Sequence, residues 1–363
     1  MLNWRDPWHP RSGGAEVVTH RVLERLCSFG WEIEWFSGGY TGALPREVRD
    51  GITHIRRGSG ATVHAMAFFH YKKKAAQRFD VVVDQINTVP FFTPLYFGCP
   101  VVSFIHQLAR EVWFYEAPFP AAIIGYALEP IYLQVYRKTP IITVSNSTRL
   151  SLQSLGLRGD IHVIPEAVDD CSESIIPAKN PRQDIVVVCR LNPSKRVDLA
   201  IRAASLLRAG GWRGCLHIVG GGNDRYVRSL KYLAEKMLGD QVFFHGKVSN
   251  DRRVDLMRES SVLWMASIRE GWGLVVTEAA CHGTPAVVSD VPGLRDSVKN
   301  GLTGRVVTAT PTAFATATGE ILQKCDYYAA NALRDSRQYS WGKTALAFEE
   351  VISQYTATTG ARV

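Results

Sequence analysis

The chain has 363 residues, 46% of them hydrophobic and 21% charged, which predicts a folded protein of two domains. The net charge of +8 is evenly divided, with +4 in residues 1–165 and +4 in the remainder, so the charge pattern excludes a dedicated nucleic-acid-binding face. Seven scattered cysteines with no C-x2-C pair argue against a disulfide framework or a zinc site and favour a reducing, cytoplasmic location.

The first half alternates strand-like and helical patterns, which predicts a parallel α/β domain. The predicted strands are 31–37, 54–56, 81–84, 101–105, 141–145 and 161–165. The predicted helices are 14–29, 64–78, 122–137 and 147–155. A buried strand should precede the helix-opening Ser12–Gly14, but only Met1–Trp4 is available. We therefore expect the true start of the protein to lie upstream of residue 1.

Two features of this half suggest ligand contacts. Gly13 and Gly14 open a predicted helix whose positive end suits a phosphate, with a plain glycine-rich turn as the alternative. His106 directly follows the strand 101–105, at the strand end where ligands bind in such folds. A structural histidine is the alternative there.

A basic cluster, Tyr71–Lys74 with Arg78, follows the apolar run Met66–Phe69. It suits docking on an anionic membrane surface, and a solvated helix face is the simpler interpretation. The stretch 85–109 contains no Asp, Glu, Lys or Arg, but its prolines and His106 indicate a loop and a buried strand rather than a membrane span.

The polar, proline-bounded segment 168–182 is the predicted linker between a first domain at 1–167 and a second at 183–340. In the second domain the predicted strands are 185–189, 216–219, 242–245, 262–265, 286–289 and 304–307. The predicted helices are 196–209, 224–238, 251–259, 274–282, 294–298 and 311–323. Residues 341–363 contain a closing helix.

Two loops of the second domain carry diphosphate-binding chemistry. Arg190 and Lys195 flank a turn between a strand and a helix, where two fixed cations suit a diphosphate, although surface charge is the simpler alternative for either one. Gly220 begins a run of three glycines after a strand, which lets the backbone approach a ligand. The run lacks the full G-x-G-x-x-G pattern, so it is weak evidence for a nucleotide.

The most informative segment is Arg269–Ala280, which sets Glu270 and Glu278 eight residues apart around a Gly-Trp-Gly loop. One carboxylate ends a strand and the other lies inside a helix, and the amides of the loop and the first helical turn lie between them. Carboxylates suit sugar hydroxyls, and amides suit a phosphate. For this spacing alone, two solvated glutamates are the alternative.

Together these residues resemble the retaining glycosyltransferases of family 4, which have the GT-B fold. The resemblance runs in order along nearly the whole chain. It comprises Gly13–Glu16, His106, Val144-Ser145, Ile164-Pro165, Val168-Asp169, Arg190, Lys195, Val219-Gly220, Phe244–Gly246, Glu270–Gly273, Glu278, Gly301 and Gly304. The chain departs from the family at Pro165–Ala167, where proline-asparagine-glycine is usual. It also departs at Arg196, often a glycine, and at Asp296, often a glutamate.

The resemblance implies two Rossmann-like domains that face each other across a cleft, and a closing helix that crosses back to the first domain. Glu278 would bind the nucleotide ribose, Glu270 the transferred sugar, and Arg190 with Lys195 the diphosphate, while His106 would lie beside the donor sugar. The remaining implied donor-binding residues are Gly13, Gly14, Gly220, His245, Lys247, Val248, Gly271, Trp272, Gly273 and Leu274.

The implied activity is transfer of a hexosyl unit from a UDP- or GDP-sugar to a hydroxyl of a glycan, lipid-linked or small-molecule acceptor. No D-x-D pair is present to hold a metal, so we expect no metal and no cofactor. A cytoplasmic enzyme of polysaccharide biosynthesis, with or without peripheral attachment to the inner membrane face, fits these features.

Two alternatives remain open, a nucleotide-sugar 2-epimerase of related fold and a non-catalytic subunit that binds a sugar nucleotide. Acceptor contacts are expected from Arg110, Glu111, Trp113 and Tyr115 in the first domain.

Overall fold

The structure of the chain, a computed structural model, describes residues 1–72, 79–168 and 179–356. They form two compact units. The first contains Met1–Arg110, Ile123–Ala167 and Ser340–Val363, and the second contains Glu111–Ala122 and Val168–Tyr339. Most of the predicted basic cluster, most of the predicted linker and the end of the closing segment lie outside the described residues.

The first unit is an α/β unit with a largely parallel sheet. Its strands are β1 (Ile33–Ser37), β2 (Arg46–Arg49), β3 (Ile52–Arg56), β4 (Val82–Gln85), β5 (Val101–Ile105), β6 (Ile141–Thr143) and β7 (Ile161–Val163). Its helices are α1 (Gly14–Ser28), α2 (Val63–Tyr71), α4 (Ala121–Leu133), α5 (Asn146–Ser154) and α13 (Trp341–Thr356). The first two residues of α4 are assigned to the second unit, and the short helix α3 (Trp113–Glu116) belongs wholly to that unit.

Strands in this unit pair in the orders β1-β3-β2 and β4-β5-β6-β7. Leu2 bridges both Phe36 of β1 and Asp84 of β4, so the first residues of the chain occupy the place of a central strand between the two groups. Because the strands that Leu2 joins are parallel, their carboxyl ends, and the residues just after them, come to one edge.

Helix α13 packs within the first unit, against α1 and β5. The ring of Phe348 lies 5.4 Å from that of Phe104, and the indole Nε1 of Trp31 donates a hydrogen bond of 3.0 Å to Glu349. Thr344 donates to the carbonyl of Pro165 at 3.1 Å. The last described helix of the chain is thus part of the core of its first unit.

The second unit contains the strands β8 (Ile185–Val188), β9 (Leu216–Val219), β10 (Val242–Gly246), β11 (Val262–Met265), β12 (Ala286–Ser289) and β13 (Gly304–Val307). Its further helices are α6 (Val197–Ala209), α7 (Asp224–Leu238), α8 (Asn250–Glu259), α9 (Leu274–Cys281), α10 (Leu294–Ser297), α11 (Pro311–Gln323) and α12 (Cys325–Ser336). The strands form one parallel sheet in the order β10-β9-β8-β11-β12-β13. The predicted α/β class, with parallel sheets in two domains, is confirmed.

Three elements differ from the prediction. Strand β2 pairs antiparallel with β3 and was missed because Arg46–Arg49 is charged and exposed, as edge strands often are. Helices α3 and α12 were also missed. Cys281 is disulfide-bonded, against the expectation from cysteine spacing. In the described ranges, no helix is both long enough and apolar enough to cross a bilayer.

A buried histidine in β3 makes the first unit sensitive to acid. His54 is fully buried between the indole rings of Trp8 and Trp35, at 4.9 and 5.6 Å, and within the described residues neither ring nitrogen has a hydrogen-bond partner. Burial and the nearby Arg56 lower the pKa of His54 to about 4, from an ordinary value of 6.5, although Asp6 acts in the opposite direction. The folded unit therefore keeps the imidazole neutral.

We predict that the free energy of unfolding is independent of this group above pH 6.5 and falls as the pH drops towards 4, because only the unfolded chain then binds the proton. The expected loss between pH 7.5 and pH 5 is about 2 kcal/mol. Denaturant unfolding at both pH values should show a smaller loss in His54→Phe and the full loss in a His162→Phe control. An equal loss in both variants would contradict this assignment.

Candidate active site

The strand order of the second unit fixes where a ligand site can form. The chain proceeds from β8 outwards to β9 and β10 and then returns to the other side of β8 to form β11, β12 and β13. In open parallel sheets, ligands bind outside the carboxyl ends of the strands at such a reversal. Here the reversal lies between β8 and β11, and the loops that leave these two strands contain Lys195 and Glu270.

Lys195 and Glu270 are brought together across this reversal. Lys195 ends the 3-10 turn Pro193–Lys195, and its Nζ donates a hydrogen bond to Oε1 of Glu270. The two side chains are only 15% and 13% exposed, so solvent screens the ion pair less than it would at the surface. Ile268 also donates from its backbone to the carbonyl of Ser194 at 2.9 Å, which ties the two loops together.

The two predicted cations of the diphosphate site differ in their exposure and in their ion pairing. Arg190 is exposed, and in the described part of the chain its guanidinium makes no ion pair, whereas the charge of Lys195 is balanced by Glu270. Cys189 directly follows β8 and directly precedes Arg190, and desolvation raises the pKa of its thiol to about 12. Cys189 is therefore a neutral thiol at pH 7 rather than a nucleophile.

The Gly-Trp-Gly loop holds the start of α9 in a fixed position. Gly273 has φ +101°, a left-handed conformation that favours glycine. A Cβ on the neighbouring Gly293 would lie 2.2 Å from the carbonyl oxygen of Glu270, so the two loops pack backbone to backbone. The first amides of a helix have no acceptor within the helix, and they form its positive end. The packing of the two loops therefore fixes the position of the positive end of α9, which begins at Leu274.

Trp272 serves the loop through its side chain rather than through a ligand contact. The indole is buried, donates a hydrogen bond of 2.8 Å to Thr277, and packs edge to face on Tyr339 at 5.2 Å. The side chain of Trp272 therefore stabilises the loop, in which Gly271 is also buried.

Glu278 has a charged partner that the sequence did not indicate. Its Oε2 accepts from Nη1 of Arg253 on α8, and Nη2 of the same arginine donates to Asn250 at 2.7 Å. Both predicted glutamates are therefore paired with cations, at 13% exposure for Glu270 and 19% for Glu278. No spacing rule links Arg253 to Glu278, because they lie on different helices.

The glycine run after β9 is required by chain packing. Gly220 has φ +132°, and a Cβ there would lie 1.8 Å from the carbonyl oxygen of Cys189, while a Cβ on Gly222 would lie 1.9 Å from that of Leu191. Only Gly221 has a side chain, that of Lys247, as its nearest neighbour, at 3.1 Å. The close backbone approach expected from the sequence is thus made to the β8 loop itself.

Three predicted donor-binding residues lie at the end of β10 or just after it, and His245, within the strand, belongs to a chain of polar groups. Its Nε2 lies 3.0 Å from Nδ1 of His217, whose Nε2 lies 3.4 Å from Oδ2 of Asp184. With Asp184 accepting, His217 donates from Nε2 and accepts at Nδ1 from His245, so Nε2 of His245 carries the proton. Lys247 is exposed, and Val248 is half-buried against the core.

In the first unit, His106 is the centre of a buried network at the carboxyl ends of the strands. It is 6% exposed; Nδ1 lies 2.8 Å from Oε1 of Glu166, and Nε2 lies 3.0 Å from the amide nitrogen of Gln85. The amide of Gln85 donates to Nε2, so Nδ1 carries the proton and donates to Glu166. The Oε1 atom of Gln85 accepts from both Asn3 and Thr19.

The sequence located His106 but missed Asn3, Gln85 and Glu166. The sequence could have indicated Gln85, because it is the last residue of the buried strand β4 and His106 directly follows the neighbouring strand β5. Glu166 offered a different signal, since it stands at a position where an asparagine was expected.

Gly13 and Gly14 lie at the start of α1, as predicted. The Gly13 amide already donates to the carboxylate of Glu16, at 2.7 Å, and Glu16 is itself buried. One of the amides that a helix start offers to an anion is therefore occupied by the protein's own carboxylate.

The four residues expected to contact the acceptor are divided between the units. Arg110 lies in the first unit, stacks on Tyr126 at 3.9 Å and donates to its carbonyl. Glu111, Trp113 and Tyr115 lie in the second unit, where Glu111 pairs with Arg269 at 3.0 Å.

The short segment that carries these three residues is anchored by Glu116, which accepts hydrogen bonds from Asn192 at 2.6 Å and Ser194 at 2.7 Å. Tyr115 lines a groove of about 470 Å³ with Tyr226 and Tyr232. In residues 1–72, 79–168 and 179–356, no group of three or more His, Cys, Asp or Glu side chains is arranged to hold a metal ion.

Two family profiles together cover most of the chain. The profile described as "Glycosyltransferase Family 4" matches residues 12–170, and that described as "Glycosyl transferases group 1" matches residues 172–333. The chain is 26% identical to the D-inositol 3-phosphate glycosyltransferase of Streptomyces scabiei (strain 87.22), over 95% of this chain and 86% of that protein. It is 34% identical to the protein of the same name from Nocardia farcinica (strain IFM 10152), over 49% and 41%.

Solved structures share the fold at lower identity. Sucrose-phosphate synthase from Thermosynechococcus elongatus superposes with a TM-score of 0.77 at 21% identity, covering 96% of this chain and 94% of that one. Anabaena Alr3699/HepE in complex with UDP-glucose superposes with a TM-score of 0.73 at 16% identity, covering 97% and 98%.

The contact between His106 and Glu166 predicts different outcomes for two variants. Glu166→Ala leaves the buried Nδ1 proton of His106 without an acceptor, and we expect a loss of about 1–3 kcal/mol in the free energy of unfolding. Glu166→Gln keeps an oxygen acceptor in place, so its loss should be less than about 1 kcal/mol. Denaturant unfolding of both variants measures this, and equal losses would show that the carboxylate charge, not the hydrogen bond, is what His106 requires.

Proposed function

This chain belongs to glycosyltransferase family 4 and is a GT-B enzyme with a nucleotide-sugar donor, and from that premise we propose that it transfers a hexosyl unit with retention of anomeric configuration and without a metal. The observation that carries the proposal is the contact between Lys195 and Glu270 at the strand-order reversal of the second unit. It places a cation for phosphate and an acceptor for hydroxyls at one point.

The leaving group is the first requirement of the reaction. When the bond between the anomeric carbon and the diphosphate oxygen breaks, negative charge develops on the diphosphate. In our proposal Arg190 and Lys195 stabilise this charge, together with the amides at the start of α9. Arg190 is exposed and makes no ion pair within the described residues, whereas Lys195 must share its charge with Glu270.

The two glutamates position the donor. Glu270 accepts hydrogen bonds from hydroxyls of the transferred sugar, and Glu278 accepts them from the ribose. Arg253 holds the carboxylate of Glu278 and lowers the entropy cost of ordering it. The same contacts limit the glutamates as acids or bases, because Glu270 already accepts from Lys195.

Retention follows in this proposal from attack on the face that the diphosphate leaves. The acceptor oxygen forms its bond to the anomeric carbon as the diphosphate bond breaks, and its proton passes to the departing phosphate oxygen. Cys189 is a neutral thiol, and Glu270 is held by Lys195, so neither is poised as a covalent nucleophile. We also propose that His106 lies beside the donor sugar; both of its ring nitrogens are hydrogen-bonded within the first unit, to Glu166 and Gln85.

Inositol phosphate is the first acceptor to test, because relatives that share 26% and 34% identity with this chain are named D-inositol 3-phosphate glycosyltransferases. Glycan and lipid-linked acceptors remain in the proposal. A nucleotide-sugar 2-epimerase would release an isomerised sugar nucleotide without an acceptor, and a non-catalytic subunit would not hydrolyse the donor at all. A cytoplasmic location is part of the same proposal.

We predict that Lys195→Ala lowers turnover about 100-fold or more, because one preorganised donor to the leaving group is lost. Release of nucleoside diphosphate from UDP- and GDP-sugars, with and without inositol phosphate, measures the effect on the purified protein. Lys236→Ala, which removes an exposed lysine of α7, is the control and should retain full turnover. Near-normal turnover of Lys195→Ala would remove this lysine from the mechanism.

Metal independence and retention have their own test. We expect turnover to be unchanged by excess EDTA, because fixed cations and helix amides carry the leaving-group charge. The glycosidic product should have the anomeric configuration of the donor, as measured by proton NMR. A loss of activity in EDTA that Mg²⁺ or Mn²⁺ restores would overturn the first statement, and an inverted product the second.

A further inference from the structure

A surface of the first unit exposes large apolar side chains on two helices and the loop between them. We name it the α2–α4 face. It consists of Met66, Phe68 and Phe69 of α2, Val89 and Leu95 of the loop, and Ile124, Leu128 and Ile131 of α4. Exposed apolar residues scattered singly are ordinary, whereas a contiguous group marks a surface that contacts another apolar phase.

The exposed apolar residues of α4 recur at the spacing of a single helix face. Ile124, Leu128 and Ile131 are 54%, 47% and 65% exposed, and their spacing of four and three residues places them on one side of the helix. On the opposite side Glu129 is buried and accepts from the amides of Ala109 and Arg110 at 2.6 and 2.7 Å. The helix therefore buries its charged group and exposes its apolar stripe, the reverse of a helix that faces water.

Helix α2 repeats the arrangement. Val63, Ala67 and Tyr71 are buried, while Phe69 is 61% exposed on the outer side. The Nζ of Lys72 lies 5.1 Å from the ring centre of Phe69, so a cation borders this side of the helix.

Contacts through the loop join the two helices into one surface. Phe68 of α2 packs against Tyr96 at 5.2 Å between ring centres, and His64 of α2 lies 3.0 Å from the carbonyl of Val89. From the other side, Tyr132 of α4 donates to the carbonyl of Thr88 at 2.7 Å. Between these anchors Leu95 is 70% exposed.

The elements that form the face carry no exposed acidic side chain. Helix α2, the loop 88–97 and helix α4 contain a single acidic residue, Glu129, and that side chain is 2% exposed. Lys72, Arg137 and Lys138 are exposed. An apolar surface without exposed acids, with cations just beyond the ends of its helices, matches a bilayer that contains anionic lipid, because the side chains enter the acyl region and the cations meet the headgroups.

We propose that the α2–α4 face docks on an anionic lipid bilayer and so holds the enzyme at a membrane surface. The inference goes beyond the proposed transfer reaction and does not depend on it. A second copy of the chain is the competing occupant, and the test separates the two.

The experiment is co-sedimentation of the full chain with vesicles of phosphatidylcholine, with or without phosphatidylglycerol. Wild-type protein should sediment with the anionic vesicles and be released by salt. The double variant Phe69→Asp with Ile131→Asp should lower the partition coefficient about tenfold or more, and Lys72→Glu with Lys138→Glu should lower it at least about fivefold per position. Tyr232→Asp, at a 72% exposed aromatic residue of α7 in the second unit, is the control and should bind as wild type.

A second apolar pair, Leu95→Asp with Leu128→Asp, should repeat the loss, and circular dichroism should show all variants folded. Donor hydrolysis should be unchanged in these variants, which separates the docking surface from the catalytic proposal. The proposal is overturned if the wild type does not sediment with anionic vesicles, or if both apolar pairs bind as wild type. It is also overturned if light scattering shows a dimer that both pairs dissociate while vesicle binding is absent.

Discussion

The ion pair between Lys195 and Glu270 is the interaction on which the arrangement of the second unit's site depends. It closes the gap between the loops after β8 and β11, at the point where the strand order reverses. A reversal in a parallel sheet opens a crevice, because the chain leaves these two strands in opposite directions. Side chains of opposite charge are a direct means of holding the loops that border such a crevice. The same charges are the ones a phosphate and a sugar hydroxyl require.

The loops are also fixed by backbone packing that allows no side chain. Gly293 packs on the carbonyl of Glu270, and Gly220 packs on that of Cys189. Each contact sets the position of a loop that carries a predicted ligand residue. The glycines of this site are therefore explained by the approach of chain to chain. Arg196, with φ +51°, shows the converse, since it holds a left-handed conformation with a full side chain at a position where the family often has glycine.

Elements with a clear local period could be predicted from the sequence, whereas features that depend on tertiary contact could not. Strand β5 and helix α7 match their predicted bounds because each has a clear apolar period and a clear stop. The segment 111–122 was assigned to the first domain by its position in the chain, but the bonds from Asn192 and Ser194 to Glu116 hold it in the second unit. No period or spacing contains that information.

The site residues show the same division. Glu270 and Glu278 were found from their spacing around a loop, yet their cationic partners, Lys195 and Arg253, are 75 and 25 residues away. Glu166 was first seen only as a departure from an expected asparagine. In the structure it is the acceptor for His106, so a change of residue at one strand end is matched by the chemistry of its neighbour. Such a match is visible only once the two strand ends are adjacent.

The two glutamates of the second unit's site are already paired. Glu270 is held by Lys195, and Glu278 is held by Arg253. A ligand that enters must exchange these partners for its own groups rather than add contacts to empty ones. The gain is then the difference between two sets of charge-assisted bonds, each set partly desolvated, and this difference is far smaller than either set. Under the proposed mechanism, such a site favours the state with the most developed charge, because a departing diphosphate competes with Glu270 for Lys195 more strongly than the intact donor does.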